Sequence, residues 1–172
     1  MEVRNIHERF LPVPPERLAP LLDSLASRED GLWPHERWPR MRFDRPLAVG
    51  ASGGHGPIRY DVEGYEPGRR VRFRFRAPRG FDGWHALVVE PAEGGVLLRH
   101  ELEMAARGPA RLSWPVVFRP LHDALVEDAL DKAELAVTGR VARPARWGWR
   151  VRVLRAALAR QGRGRSSGRP SP

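Results

Sequence analysis

The chain of 172 residues has no cysteine. That excludes a disulfide framework, a thiolate metal site and a cysteine nucleophile. Lysine is nearly missing as well: of 30 basic residues, Lys132 is the only one that is not arginine. No apolar run approaches the roughly 20 residues that cross a bilayer. The charged stretch Met1 to Phe10 has no apolar signal-peptide core, so a soluble cytoplasmic protein is expected. The glycine-rich stretch Gly50 to Gly56 lacks the Lys-Ser/Thr pair of a phosphate-binding loop and is not clearly followed by a helix. It reads as a mobile hairpin connection. No Ser/His/Asp arrangement and no pair of inward carboxylates emerges from the spacing.

Acidic residues are missing from one end of the chain. Residues 141–172 hold nine arginines and no Asp or Glu, whereas residues 1–140 sum to zero. The net charge of +9 therefore belongs to a tail, and the body is neutral. The expected division is one domain over residues 1–140 and an arginine-rich tail over 141–172. Within the tail Trp147, Val151, Leu154 and Leu158 recur at helical spacing among Arg146, Arg150, Arg152, Arg155 and Arg160. Such a short basic amphipathic helix has three readings. Its stripe docks on the domain, or it lies on an anionic membrane surface, or it meets nucleic acid phosphates non-specifically. From Gln161 onward the composition predicts disorder.

What the chain does have is alternation. From Ile58 to Met104 apolar and charged residues change places with a period of two, which predicts antiparallel strands with one buried face. A two-residue loop at Pro67-Gly68 pairs Glu66 with Arg69 and sets the register. Phe73 then lies opposite Val62 and Phe75 opposite Tyr60, while Asp61 meets Arg74 and Glu63 meets Arg72 on the other face. A second hairpin, turning within Ala92 to Gly95, puts His85, Leu87 and Val89 on one face with Leu98, His100 and Leu102. Arg99, Glu101 and Glu103 take the other face beside Glu90, and Trp84 points outward.

Around this meander the elements are shorter or longer. Val3 to Val13 reads as a first strand, and Leu18, Leu21, Leu22 and Leu25 as a short helix opened by Pro15. Phe43 to Val49 reads as a short strand, and Trp33 and Trp38 flank a loop at a candidate entrance. A long helix is expected to Thr138, regular from about Pro120 and capped by Gly139. Its stripe is Phe118, Leu121, Leu125, Ala129, Ala133 and Ala136, widened by Val126, Leu130 and Val137. Arg119, Asp123, Glu127, Asp131 and Glu134 are expected mostly on the solvated side.

This order is α+β: strand, short helices, antiparallel meander, one long C-terminal helix. With the segments "PVPPERLAPLL", "YEPGRRVRFRF", "GWHALVVEPAEGGVLLRHELE" and "RPLHDALVEDALDKAELAV", residues 3–140 resemble the START-like or Bet v 1-like helix-grip superfamily (SRPBCC), which includes polyketide cyclase/dehydrase-like proteins. The resemblance implies a curved antiparallel sheet wrapped around the long helix, enclosing an apolar cavity for a lipid- or polyketide-like molecule. It carries no catalytic signature. The inward positions Tyr60, Val62, Phe73, Phe75, Leu87, Val89, Leu98 and Leu102 are then ligand-binding candidates, with His122, Leu125 and Ala129 from the helix. His100 and His85 are the catalytic candidates, because imidazole titrates near neutrality and can serve as acid or base. They can equally orient a ligand carbonyl or hydroxyl, or sit at the rim bonded to backbone or water. No cofactor is expected, and a zinc site lacks a third ligand placed by sequence. The function expected is binding of a small hydrophobic ligand. The alternatives are a cyclase- or dehydratase-like enzyme, and a partner- or membrane-surface-binding module acting through the tail.

Overall fold

A computed structural model describes the backbone of residues 1–166 and the side chains through residue 159. Seven strands form one antiparallel sheet: β1 (Glu2–Leu11), β2 (Arg42–Phe43), β3 (Ser52–His55), β4 (Ile58–Glu66), β5 (Arg70–Ala77), β6 (Phe81–Ala92) and β7 (Gly95–Ala106). Their order across the sheet is β1-β7-β6-β5-β4-β3-β2, so the first strand returns to pair with the last. The helices are α1 (Ala19–Asp23), α2 (Ala110–Ser113), α3 (Arg119–Thr138) and α4 (Trp149–Ser166). A π-helical turn at Trp114–Phe118, carrying Pro115, leads from α2 into α3, and Gly139 ends α3 with φ 78° in the left-handed region. The architecture is a curved sheet gripping a long helix, α+β. The tail segment expected to be disordered from Gln161 continues α4 to Ser166, and residues 167–172 lie outside the described residues.

The central register agrees with the alternation. Tyr60 faces Phe75, Asp61 faces Arg74 and Val62 faces Phe73. The turn does not: Glu66 pairs with Arg70, so the loop is one residue longer than expected. A bulge at Glu63 absorbs the extra residue and restores the register beyond it. Glu63, displaced by the bulge, takes Arg72 at 2.9 Å and Arg74 at 2.8 Å, while Asp61 takes Arg76 at 3.0 Å. The opposite-charge pairing survives diagonally. The β6–β7 hairpin turns on Glu93-Gly94 and sets His85 opposite Leu102 and Leu87 opposite His100. Leu98 and Leu102 are fully buried on that face, each worth about 1.5–3 kcal/mol by burial.

Three expectations are corrected. The strand predicted over Phe43 to Val49 is only Arg42–Phe43, and the glycine-rich stretch itself forms β3. The reason is close backbone approach: a Cβ on Gly53 would overlap the Arg42 carbonyl, and one on Gly54 the Ile58 carbonyl. Ala136 lies exposed, outside the buried stripe of Leu125, Ala129, Ala133 and Val137. The largest difference concerns the acids of α3. Asp123, Glu127 and Asp131, half-buried, and Glu134, buried, meet the inward row of β1. His7 bonds Asp123 and Glu127, and Arg9 pairs with Glu127 at 3.1 Å, Asp131 at 3.0 Å and Glu134. Asn5 donates to Asp123 at 3.0 Å. A polar row on a strand and an acidic row on a helix thus satisfy each other, which buried or half-buried charges require.

Candidate functional site

Between the sheet and α3 lies a cavity of about 390 Å³, within the range of small-molecule sites. The sheet contributes Phe75, Phe81, His85, Leu87, Leu98, His100 and Leu102. The helix α3 contributes Leu121, His122, Leu125, Val126, Ala129 and Leu130, and the π turn adds Trp114, Val117 and Phe118. Trp33, Trp38, His55 and Ile58 come from the segment after α1 and the edge strands, and Arg155, Leu158 and Ala159 from α4. Alternation on β5–β7 and the small side chain of Ala129 leave this space; the chain's own loops and tail close it.

Of the sequence candidates, Phe75, Leu87, Leu98, Leu102, His122, Leu125 and Ala129 line the cavity, as do His85 and His100. Tyr60, Val62, Phe73 and Val89 are core residues that do not line it. Phe43 of β2 packs on Tyr60 and Phe73 with ring centroids 5.9 Å from each, so that part of the inner face is covered. Sequence reasoning did not mark His55, Phe81 or Trp114 as lining residues. Nor did it find the His7–Asp123–Glu127 cluster. Polar residues at every second position of β1, set against acids at helical spacing in α3, were the signal for that cluster.

Four of the six histidines line this one cavity. His85 Nδ1 lies 3.3 Å from His100 Nε2. The His85 ring stacks on Phe73 and Phe75 at 4.8 and 4.9 Å and meets the Tyr60 ring edge-on at 4.9 Å. His100 and His122 rings are 4.9 Å apart, and His122 Nδ1 is 3.4 Å from Asp123 Oδ1. Burial dominates their protonation: it pushes His55 down to about 3 and holds His85 and His100 well below 6.5, with neighbouring histidines adding to the effect. Burial lowers His122 too, against the pull of Asp123. The four imidazoles of the wall are therefore neutral at neutral pH, and the one charged side chain lining it among the described residues is Arg155 at the mouth. Within this cluster of rings, His100 Nδ1, His122 Nε2 and the Tyr60 hydroxyl are buried without a protein partner.

His7 is the opposite case. Burial opposes its charge, but hydrogen bonds and charge from Asp123 and Glu127 win, and its pKa is raised. Its Nδ1 is 2.6 Å from Glu127 and its Nε2 3.2 Å from Asp123. His7, His122 and Asp123 bring ligating atoms within 4.8 Å of one another. Each nitrogen aims at a carboxylate oxygen that only accepts, so a proton fills each gap and the trio reads as a hydrogen-bonded cluster.

The tail closes the mouth. Asp128 on α3 accepts from Trp38 Nε1 at 2.7 Å, Arg37 at 2.8 Å and Trp147 Nε1 at 2.9 Å. The Arg155 guanidinium stands 4.4 Å over Trp38 and 5.2 Å from Trp147 and donates to the Arg37 carbonyl. Backbone amides of Ala142 and Ala145 bond Glu134 and Asp131. Of the predicted tail stripe, Val151 is buried and Leu158 reaches the cavity mouth. Among the described residues no helix is long and apolar enough to cross a membrane.

These features define a sheet-and-helix cup with an apolar interior. No family model matches the chain, and no curated protein matches it. Solved structures do. CalU16 from Micromonospora echinospora superposes with a TM-score of 0.57 at 15% identity, over 94% of this chain and 86% of that one. Ara h 8.0201 gives 0.58 at 13% identity, over 81% and 100%. DynU16, from the dynemicin biosynthetic locus, gives 0.54 at 16% identity, over 83% and 49%. The fold is that of the Bet v 1-like helix-grip proteins, also called START-like or SRPBCC.

Proposed function

We propose that the protein binds a small hydrophobic molecule, lipid- or polyketide-like, in the cavity between the sheet and α3. The observation that carries this reading is the cavity wall itself: apolar and aromatic over most of its surface, with imidazoles held neutral by burial. A wall of this kind strips water from a ligand and leaves a few polar atoms to orient it. Native mass spectrometry of the purified protein, before and after organic extraction, tests it. A defined hydrophobic mass that extraction removes is expected. Filling the space with Ala129→Trp should lower retention of that mass at least tenfold while the protein stays folded. A bare mass, together with no thermal stabilisation by a lipid and aromatic polyketide panel, would count against a ligand cavity.

The acid–base version of this reading, a cyclase- or dehydratase-like enzyme, is favoured by the His85–His100 contact inside the wall. A separate reading concerns the tail. Trp149 is 71% and Val153 59% exposed, four residues apart on α4 beside Arg150 and Arg152. An exposed apolar pair among arginines suits an anionic membrane surface. Vesicles containing phosphatidylserine should co-sediment the protein, and Trp149→Ser with Val153→Ser should reduce that several-fold. Equal binding by the variant would rule this role out for α4.

A further inference from the structure

We propose that the cavity takes a hydrophobic molecule ending in a carboxylate, whose apolar body fills the space and whose head pairs with Arg155 at the mouth. The inference rests on the cavity reading and names a ligand class for it. It starts from the face that α4 turns to the mouth. Val151 is buried, and Arg155, Leu158 and Ala159 line the cavity, a spacing that places all four on one side of a helix. An arginine thus interrupts an otherwise apolar row. Arg150 and Arg152, on the same helix, are exposed and do not line the cavity. Among the described residues Arg155 is the one charged side chain that does.

Its charge has no counterpart. Arg155 stands over Trp38 and Trp147 and donates to the Arg37 carbonyl, all uncharged partners. The acids of this region are already engaged. Asp128 is paired with Arg37 at 2.8 Å and accepts from both indoles, and Glu36 is paired with Lys132 at 2.9 Å. Residues 160–172 add no Asp or Glu. Burial opposes the charge of Arg9 and Arg99, yet bonds to carboxylates raise their pKa values. Burial opposes that of Arg155 too; Asp128 pulls back, Arg37 adds to the loss, and the pKa falls. Two guanidiniums and one carboxylate leave the mouth with a surplus positive charge, half-buried and in want of a partner.

A carboxylate fits that want. A guanidinium has five N–H donors in one plane, and among the described residues the bond to the Arg37 carbonyl uses one of its nitrogens. Over an indole face such a group keeps its donors at its edge, where a planar carboxylate accepts two in parallel. Trp38 itself lines the cavity, so the guanidinium above it stands where the cavity opens. A ligand that enters body first leaves its head there. The neutral imidazoles of the wall offer hydrogen bonds but no charge, so the acid end has one place to go.

Titration of the full-length protein with two matched pairs tests this: dodecanoate against dodecanol, and 9-anthracenecarboxylate against 9-anthracenemethanol. Each acid should bind about tenfold tighter than its alcohol. Arg155→Gln should erase that preference and leave the affinity for the alcohols within about threefold. Between pH 6 and 8.5 the affinity for the acids should stay level, because a guanidinium keeps its charge throughout. Alcohols that bind as tightly as the acids would overturn the role of Arg155 and leave the cavity reading standing, whereas no binding of any of the four would overturn both. A variant that loses acid and alcohol alike would make Arg155 a mere fastening of α4 onto Trp38. Tightening toward pH 6 would hand the carboxylate to a cavity histidine. Either result would overturn the proposal.

Discussion

Asp128→Ala should destabilise the protein by about 3–5 kcal/mol, the usual cost of removing one partner of a buried charged cluster. Asp128 is only 4% exposed and accepts from three donors, Trp38, Trp147 and Arg37. Two of the donors, Arg37 and Trp38, are neighbours in the segment after α1, and the third, Trp147, lies in the linker before α4; Arg37 also stacks 4.4 Å over Trp147. Losing the carboxylate leaves the buried Trp38 and half-buried Trp147 indole N–H groups unsatisfied and removes one of the tail's anchors on α3. The effect should appear as a lower urea midpoint together with faster proteolysis within 141–148. Asp128→Asn keeps one acceptor oxygen and should cost less than half as much. A loss below about 1 kcal/mol, with the linker still protected, would show that α4 is held by other contacts.

That cluster also marks where sequence reading stopped. Alternation gave the pairing of Tyr60 with Phe75 and the shared face of His85 and Leu102, because a strand's two faces are written in adjacent residues. Helical spacing gave α3 and its cap for the same local reason. The bulge at Glu63 was not legible, since it compensates a longer turn and leaves the pattern on either side unchanged. Nor could sequence tell which inward residues touch the cavity. Tyr60 and Phe73 have the same period as Phe75, and only the arrival of Phe43 from 30 residues away at Phe73 separates core from wall. The acids of α3 were misplaced on the principle that charge seeks water. They instead found His7 and Arg9, more than 110 residues earlier, and no local pattern on the helix alone states that.

Acid should unfold this protein earlier and more steeply than its carboxylates alone would. An unfolded histidine titrates near 6.5, whereas burial pushes His55 down to about 3 and lowers His85, His100 and His122. Below pH 6.5 the unfolded chain binds protons that the folded one refuses. The stability these groups confer is thus complete above about pH 6.5 and lost as the pH falls toward their folded values. Each histidine still neutral at pH 5 costs about 2 kcal/mol there, and several together approach the whole stability of a domain, about 5–15 kcal/mol. His7 works in the other direction. Its raised pKa adds stability below 6.5 that is lost as the pH rises through its folded value, so it offsets one of the four on acidification. Asp123, held low by His122 and His7 although burial opposes it, gives up its share only below about pH 4. Unfolding free energy measured in urea from pH 7.5 to 5 should fall with a slope of about two to three protons, and His100→Leu should reduce that slope by about one. A slope under one proton would mean that the cavity histidines are charged in the folded protein. The same result would deny the cavity its neutral imidazoles and leave an apolar ligand facing buried cations.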